Sequence, residues 1–326
     1  SYNAVYHFVV GARGLGKTYG TKKKVISNWI RRKEQFIYLR RYSTELKQRS
    51  TFFADILHEF PDWDFRVDGM TALGAPASTR DDKKRKWEVM GYFIQLSNAQ
   101  SRKSVAYPLV TTIIFDEFII EKGVLHYLQN EAKAFNDFYS TVDRYKDKTK
   151  VFFLANSVSI MNPYFLEYDI RPDEVGEFIR KYDGFMIAHF ADSAEFSRGV
   201  YKTRFGKFIE GTEYADYSVG SEFADNHDKL LEDKPSTATY RYTIESDNGT
   251  FAVWYDGNLN RWWMLEKRPK QEIIFVLNPN KMEEGKTLLL SNDRMLQLMR
   301  SGFRNDRVRF ATPKARNAFI EIAKRN

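Results

Sequence analysis

Apolar runs alternate with polar or amphipathic segments through the first 190 residues. Continuous runs of five to seven largely apolar residues are typical of buried parallel strands. They occur at Val5–Val10, Gln35–Leu39, Leu109–Phe115, Val151–Ala155 and Gly184–Phe190. Helix-like segments lie between some of them, at 21–33 and 125–144. Strands that alternate with helices predict a parallel sheet covered on both faces, so we expect residues 1–190 to form one α/β domain.

The rest of the pattern predicts one more helix in this domain and a second, smaller domain. Ser43 or Thr44 can cap a helix that ends at Phe60, because Pro61 follows. Residues 191–235 are expected to form a lid or linker. Short strands joined by Asp-Asn-Gly and Asp-Gly-Asn turns, followed by two amphipathic helices, predict a small α+β domain over 236–326.

The most specific motif follows the first predicted strand and begins the first predicted helix. It is Gly11-Ala12-Arg13-Gly14-Leu15-Gly16-Lys17-Thr18. A glycine-rich loop between a strand and a helix is the P-loop layout, in which backbone N–H groups bind phosphate. We expect Lys17 to reach the β- and γ-phosphates of ATP and Thr18 to bind Mg²⁺. Arg13 either contacts phosphate or is solvated, and the sequence leaves both open.

Polar residues at the ends of two later strands complete the predicted nucleotide site. Asp116 comes at the end of the predicted strand Leu109–Phe115. A carboxylate at this place near a P-loop holds Mg²⁺ directly or through water. Glu117 can polarise a water for attack on the γ-phosphate. Asn156 ends the next strand and either contacts that water or the γ-phosphate, or is a turn residue. The Asp-Glu pair favours an ATPase with a glutamate base.

Three basic residues are candidates for a contact across a subunit interface. Arg144 ends a predicted helix, where it either stabilises charge on a neighbouring subunit's γ-phosphate or favours the helix C-terminus. Arg102 and Lys103 are similar candidates with less support from the sequence.

Composition limits the class of protein and its partners. The chain has 326 residues, no cysteine and no apolar run near the length of about 18 residues that spans a membrane. We therefore expect a soluble cytoplasmic protein without disulfides or membrane contact. The net charge is +8, and residues 294–326 hold nine Lys/Arg against two Asp/Glu. This excess indicates either a nucleic-acid partner or a merely solvated basic surface.

Four ordered motifs together carry a resemblance to a known family. They are the P-loop at 11–18, Ile-Ile-Phe-Asp-Glu-Phe at 113–118, Val-Asp-Arg-Tyr at 142–145 and Phe-Phe-Leu-Ala-Asn-Ser at 152–157. This set resembles the DNA-packaging ATPase, or encapsidation protein, of small short-tailed bacteriophages, a compact relative of terminase large subunits. The resemblance covers essentially the whole chain.

The resemblance implies a P-loop NTPase of the ASCE type that works as a motor. It implies a ring of five subunits, docked on the portal of a prohead in the host cytoplasm. ATP would drive double-stranded DNA into the prohead, helped by a packaging RNA. Arg144 would match the family's trans-acting arginine finger, and Arg102 with Lys103 a second basic element at the interface.

For residues 236–326 the resemblance implies a vestigial nuclease of the RNase H type. A two-metal nuclease needs carboxylates clustered on strand ends. Thr243 lies where a central Asp is expected, and Asp256 lies in a turn, which favours binding of DNA, RNA or the portal over cleavage.

Two rival functions remain after this comparison. One is a terminase-type ATPase with an active nuclease domain, which is disfavoured because residues 236–326 offer few carboxylates at predicted strand ends. The other is a nucleotide-binding nucleic-acid adaptor without turnover, which the Asp116–Glu117 pair disfavours.

Overall fold

The computed structural model divides the chain into two compact units. One comprises Ser1–Tyr164 with Ile170–Ala224, and the other comprises Phe165–Asp169 with Asp225–Asn326. The structure describes residues 3–102, 105–120, 125–128, 130–156, 162–170, 178–191, 194–212, 215, 219, 230–246, 249–266, 268–270, 273–277, 279–290, 293–305 and 307–324.

A nine-stranded sheet forms the centre of the first unit. Its strands are β1 (Tyr6–Gly11), β2 (Gln35–Arg40), β3 (Trp63–Asp68), β4 (Thr71–Pro76), β5 (Glu88–Gln95), β6 (Val110–Asp116), β7 (Lys150–Asn156), β8 (Phe178–Lys181) and β9 (Met186–Phe190). Their spatial order is β3-β4-β5-β2-β6-β7-β1-β9-β8. The six strands from β5 to β9 in this order are parallel, and the antiparallel strands β3, β4 and β8 lie at the two ends. β7 therefore lies between β1, which precedes the P-loop, and β6, which ends at Asp116.

Two of the helices in this part of the chain pack against the sheet: the first contacts β2, β6 and β7, and the second contacts β6. The described helices between residues 17 and 209 are α1 (Lys17–Arg32), α2 (Glu131–Asp143), α3 (Pro163–Glu167), α4 (Ala194–Tyr201) and α5 (Arg204–Ile209). One core cluster contains Trp29 of α1 and Phe36 of β2, which are almost inaccessible to solvent. Elsewhere in this unit, Phe8 and Phe153 stack with ring centroids 4.1 Å apart. The parallel α/β class predicted for this part of the chain is confirmed.

The helix predicted from Ser43 or Thr44 to Phe60 is wrong. This segment forms three short 3₁₀ turns, at Ser43–Leu46, Arg49–Thr51 and Leu57–Glu59. On one α-helix, Leu46 would point about 120° away from Phe52, since each residue turns the chain by about 100°. The broken path lets four apolar side chains enter the same core cluster: Leu46, Phe52, Phe53 and Ile56.

The second unit is built on a mixed six-stranded sheet. Its strands are β10 (Thr239–Ser246), β11 (Gly249–Asp256), β12 (Arg261–Leu265), β13 (Ile274–Val276), β14 (Lys286–Leu288) and β15 (Val308–Phe310), in the order β14-β13-β10-β11-β12-β15. β10, β11 and β12 are antiparallel, while β13, β14 and β15 pair parallel to their neighbours. Two helices flank β15 in the chain, α6 (Arg294–Arg304) before it and α7 (Pro313–Lys324) after it. Phe303, Phe310 and Phe319 form an aromatic cluster within this unit.

The predicted lid or linker, 191–235, contains regular structure where it is described. Helices α4 and α5 lie in it, and both belong to the first unit. No helix among the described residues is both long and apolar enough to cross a membrane.

Candidate active site

The P-loop connects β1 to α1 through two glycines in the left-handed region. Gly14 has φ 91° and Gly16 has φ 77°, values that residues with a side chain rarely adopt. A Cβ atom on Gly14 would also lie 2.8 Å from Cζ of Phe196, and one on Gly11 would lie 2.8 Å from Cδ1 of Leu15. The sequence pattern of this loop therefore follows from its backbone path and close packing.

Lys17, at the start of α1, turns its amine back toward the strand ends. Nζ donates hydrogen bonds to the carbonyl oxygens of Gly11 at 3.0 Å and Ala12 at 2.7 Å, and to Oδ1 of Asn156 at 3.2 Å. Burial lowers the pKa of Lys17 to about 8, and the nearby Asp116 carboxylate offsets only part of that shift. The structure therefore brings two of the predicted site residues, Lys17 and Asn156, into direct contact.

Thr18 and Asp116 form the oxygen pair predicted to bind Mg²⁺. Oγ1 of Thr18 lies 3.2 and 3.3 Å from the two carboxylate oxygens of Asp116. Adjacent oxygen ligands of octahedral Mg²⁺ are about 3 Å apart, since each metal–oxygen bond is about 2.1 Å. Tyr38 donates its hydroxyl to Oδ2 of Asp116 at 2.7 Å, and burial together with this carboxylate raises the pKa of Tyr38. The donor set fits a magnesium ion.

Among the described residues, no group of three or more His, Cys, Asp or Glu side chains could hold a metal. A Mg²⁺ site of the kind used for nucleotides needs only one or two protein carboxylates and takes its other ligands from phosphate and water.

Glu117 lies directly after β6 in a left-handed conformation, with φ 55°. Its side chain is 53% exposed and accepts a hydrogen bond from Nη2 of Arg40. Arg40 ends β2, the neighbouring strand, and also bonds Glu45 at 3.0 Å. A non-glycine residue at positive φ is uncommon and occurs preferentially at functional sites. The predicted base is thus held by an arginine at the same edge of the sheet.

A buried ion pair supports the backbone at Glu117. Arg41 and Glu131 have side chains only 1% and 0% exposed, and Nε of Arg41 lies 2.8 Å from Oε2 of Glu131. Nη2 of Arg41 also donates to the carbonyl oxygen of Phe118 at 2.7 Å. Tyr164 donates its hydroxyl to Glu131 at 2.8 Å. The pair is therefore hydrogen-bonded on both sides and ties β2, α2 and the chain after β6 together.

Four further residues of this cluster were not predicted from the sequence: Tyr38, Arg40, Arg41 and Glu131. The pair Arg40-Arg41 at the end of a predicted apolar strand was a local signal, because charges at the end of a buried parallel strand often face a site. Glu131 gave no such signal, since its partner is 90 residues away.

The remaining predicted residues lie away from this cluster or outside the described chain. Arg13 is exposed on the P-loop. Arg144 is exposed just after α2, with φ 53°, at the opposite edge of the sheet from Glu117. Lys103 lies outside the described residues, so the structure does not place it.

The second unit contains the residues on which the nuclease question depends. Thr243 is fully buried and bonds the hydroxyl of Tyr240 at 2.9 Å. Asp256, predicted in a turn, is instead the last residue of β11. It accepts hydrogen bonds from Thr237 and from the backbone N–H groups of Asn258 and Leu259, so its carboxylate organises the turn that follows. No metal-binding carboxylate cluster occurs in the described part of this unit.

The basic excess near the C-terminus is only partly on the surface. Arg309 and Arg316 are buried, and Arg309 pairs with Glu232 at 3.4 Å. Arg294, Arg307 and Lys314 are exposed. Only exposed residues are available to a polyanion, so the surface charge is smaller than the count suggests.

Comparison with known proteins identifies the family of this chain. The model of the Podovirus DNA encapsidation protein (Gp16) family matches residues 1–326. A DNA packaging protein of Bacillus phage B103 is 36% identical over 329 residues, covering 100% of this chain and 98% of its own. One of Bacillus phage phi29 is 35% identical over 325 residues, covering 99% and 94%.

Solved structures agree with the sequence comparison. The phi29 viral genome packaging motor assembly matches with a TM-score of 0.60 and 34% identity, over 97% of this chain and 94% of that chain. The N-terminal domain of the phi29 DNA packaging ATPase matches with a TM-score of 0.52 and 39% identity, over 60% and 94%. These matches confirm the resemblance carried by the four motifs, and the chain belongs to the Podovirus DNA encapsidation protein (Gp16) family.

Proposed function

We propose that this DNA-packaging protein is an ATPase motor that drives double-stranded DNA into a preformed prohead. The observation that carries the proposal is the convergence of four groups at the carboxyl edge of one parallel sheet. Gly11, Arg40, Asp116 and Asn156 are the last residues of β1, β2, β6 and β7. Ligands of open α/β sheets bind at this edge. The relatives that are called a packaging ATPase and a packaging motor support the same function.

The P-loop N–H groups and Lys17 would hold the phosphates of ATP, and Thr18 and Asp116 would hold Mg²⁺. The metal would neutralise charge on the phosphate oxygens. Glu117 would accept a proton from the attacking water. Arg40 bonds Oε2 of this carboxylate, so Oε1 would accept the proton. Asn156, already bonded to Lys17, would sense the γ-phosphate.

Arg144 would act on the nucleotide of a neighbouring subunit, and strand direction supports this role. Thr112 pairs with Lys150 at the start of β7, while Asp116 ends β6. At about 3.3 Å per residue, the loop before Lys150 lies roughly 20 Å from the level of Glu117. An arginine side chain cannot span that distance, so Arg144 could meet a γ-phosphate only in trans.

This arrangement would need a ring of subunits, for which we propose five, docked on the portal of the prohead in the host cytoplasm. Residues 1–190 would form the ATPase domain and 191–235 a lid. The basic domain over 236–326 would bind DNA, packaging RNA or the portal. Lys103 would be a second basic residue at the subunit interface, and Arg13 would contact phosphate.

Hydrolysis with and without DNA tests the proposal against its rivals. The full-length protein should hydrolyse ATP, and double-stranded DNA should change the rate. Glu117→Gln should keep ATP binding and lose turnover, because an amide cannot accept the proton. Parental turnover in Glu117→Gln would remove Glu117 from the mechanism. ATP binding without hydrolysis by the parent protein would favour the adaptor.

A cleavage assay on the same DNA tests the nuclease alternative. With Mg²⁺ or Mn²⁺ we expect no nicking by the full-length protein, because its described residues lack a carboxylate cluster. Metal-dependent nicking that disappears in Asp256→Ala would restore the nuclease function.

Mixing two inactive variants tests the trans role of Arg144. Arg144→Ala should bind ATP normally and hydrolyse it about 10³–10⁵-fold more slowly. Mixed with Glu117→Gln, it should regain activity wherever an intact finger meets an intact base. Lys133→Ala, which removes an exposed cation from the same helix, should retain parental activity. Co-assembled mixtures that stay inactive would contradict the trans role.

A further inference from the structure

The loop after α2 has a backbone that residues with side chains rarely adopt. Arg144, Tyr145 and Asp147 have φ values of 53°, 56° and 52°. None of the three is glycine, which would adopt these angles without strain. The contacts of the loop must therefore impose this backbone path. Such constraint is typical of sites that present a side chain in a fixed position.

The side chain of Asp143 imposes the path. Asp143 is only 1% exposed, and its carboxylate accepts four backbone N–H groups of the following loop. Oδ2 accepts from Lys146 at 2.8 Å and Asp147 at 2.9 Å, and Oδ1 accepts from Lys148 at 3.0 Å and Thr149 at 2.9 Å. Burial alone would raise the pKa of Asp143, yet these donors outweigh it and hold that pKa below its ordinary value.

The far end of the loop is fixed to the sheet. Tyr139 donates its hydroxyl to the carbonyl oxygen of Thr149 at 3.2 Å, and Oγ1 of Thr149 donates to that of Val110 at 3.3 Å. Nζ of Lys148 reaches the carbonyl oxygen of Pro108. Both ends of the loop are therefore anchored to elements of the first unit.

The middle of the loop, in contrast, presents its side chains to solvent. Tyr145 is 90% exposed, and Arg144 is exposed beside it. Within the described part of the chain, the guanidinium of Arg144 has no hydrogen bond or ion pair. Within the described residues of their own subunit, the side chains of Arg144 and Tyr145 therefore make no hydrogen bond, ion pair or ring contact, although the loop backbone beneath them is fixed.

We propose that Asp143 is the positioning residue of the trans site, because its carboxylate sets the loop that carries Arg144 before two subunits meet. The inference rests on the proposed trans role of Arg144. A preformed loop spares the entropy of ordering a long side chain and its backbone when the neighbouring site is completed. Asp143 does not touch the nucleotide and acts only through Arg144.

Asp143→Asn tests the inference with little change in size. An amide keeps one acceptor oxygen but turns an N–H group toward two of the four loop N–H groups. The loop therefore loses two of the hydrogen bonds that fix its backbone. We expect kcat of the assembled full-length protein to fall about 10²-fold, a loss typical of a catalytic group displaced by about 1 Å. The Kd for ATP should stay parental, because the subunit's own P-loop is unchanged.

Two further measurements separate positioning from a general structural role. Mixing Asp143→Asn with Glu117→Gln should restore activity, as for Arg144→Ala. The kcat of Asp143→Asn combined with Arg144→Ala should be no lower than that of Arg144→Ala alone, because the carboxylate of Asp143 has no catalytic role apart from positioning Arg144. Asp137→Asn, on an exposed carboxylate of the same helix, is the matched control and should retain parental kcat.

The outcomes distinguish this inference from the proposed function. If Arg144→Ala hydrolyses ATP at the parental rate, the trans role fails and the inference fails with it. If Arg144→Ala is slow while Asp143→Asn is parental, or the two losses add, only the inference on Asp143 is overturned. If Asp143→Asn does not fold, Asp147→Gly replaces it, since glycine accepts φ 52° without strain while loosening the loop. Asp147→Gly should lower kcat in a way that mixing restores, and an unchanged kcat would overturn the inference.

Discussion

Removing the charge of Glu131 should destabilise the first unit strongly. In Glu131→Gln the guanidinium of Arg41, 1% exposed, would remain charged without a counter-ion. The new amide would also turn an N–H group toward donors, because the two carboxylate oxygens now accept from Arg41, Leu128 and Tyr164. The loss therefore combines an unpaired buried charge with unsatisfied hydrogen bonds.

The magnitude follows from the burial of both partners. Breaking a buried ion pair by removing one partner costs about 3–5 kcal/mol. In a unit of roughly 150–250 residues, each kcal/mol lowers Tm by about 2–4 °C, so Tm should fall by about 6–20 °C. An exposed pair gives the comparison: Lys33 and Glu88 are bonded with side chains 48% and 53% exposed. Glu88→Gln should cost about 1 kcal/mol or less.

Thermal unfolding followed by circular dichroism measures both variants under the same conditions. A Glu131→Gln variant that melts within a few degrees of Glu88→Gln would refute the reasoning. Arg41→Met with Glu131→Leu should recover much of the stability, because apolar residues of similar volume replace the pair. ATP hydrolysis should stay low in this double variant, since nothing then holds the carbonyl of Phe118 beside Glu117.

The remaining predictions concern the nucleotide and the nucleic acid. Since the pKa of Lys17 is about 8, the affinity for ATP should fall above pH 8, by at most tenfold per pH unit, as the amine loses its charge. Equilibrium titrations with a fluorescent ATP analogue would show this, and any binding by Lys17→Arg should not show it, because arginine stays charged. Lys17→Ala should lose tight ATP binding, and parental affinity would contradict the P-loop assignment. Removing the exposed cations Arg294 and Arg307 should lower the salt slope of DNA binding by up to about two, and an unchanged slope would place the DNA elsewhere.

The sequence predicted those elements whose own residues and immediate neighbours carry a distinctive pattern. The P-loop and the strands β1, β6 and β7 each combine a distinctive residue pattern with their own flanking signals. The strands β4 and β8 had no such pattern, since Thr71–Pro76 contains Gly and Pro, and Phe178–Lys181 is only four residues long. Strands of this kind are stabilised by their neighbours rather than by their own sequence.

The candidate site was predictable where one residue type has one dominant use near phosphate. Gly, Lys and Thr of the P-loop and the Asp-Glu pair belong to this class. Arg41 and Glu131 do not, because a buried charge is recognised only with its partner, and the partner is distant in the sequence. Asp143 was equally hidden, since an Asp at a helix end has many uses and its four N–H partners become visible only in the folded loop.

If Arg144 acts in trans as proposed, the direction of the strands would connect assembly with hydrolysis. Asp116 and Glu117 lie at the carboxyl edge of the sheet, and the loop that carries Arg144 lies at the amino edge. No change of side-chain conformation within one subunit unites these edges. A site that uses both would therefore need two subunits, and a protomer alone would bind ATP without completing the group that hydrolyses it. Hydrolysis would then require that neighbouring subunits are assembled, so that a packaging motor built this way would hydrolyse ATP only after its ring has formed.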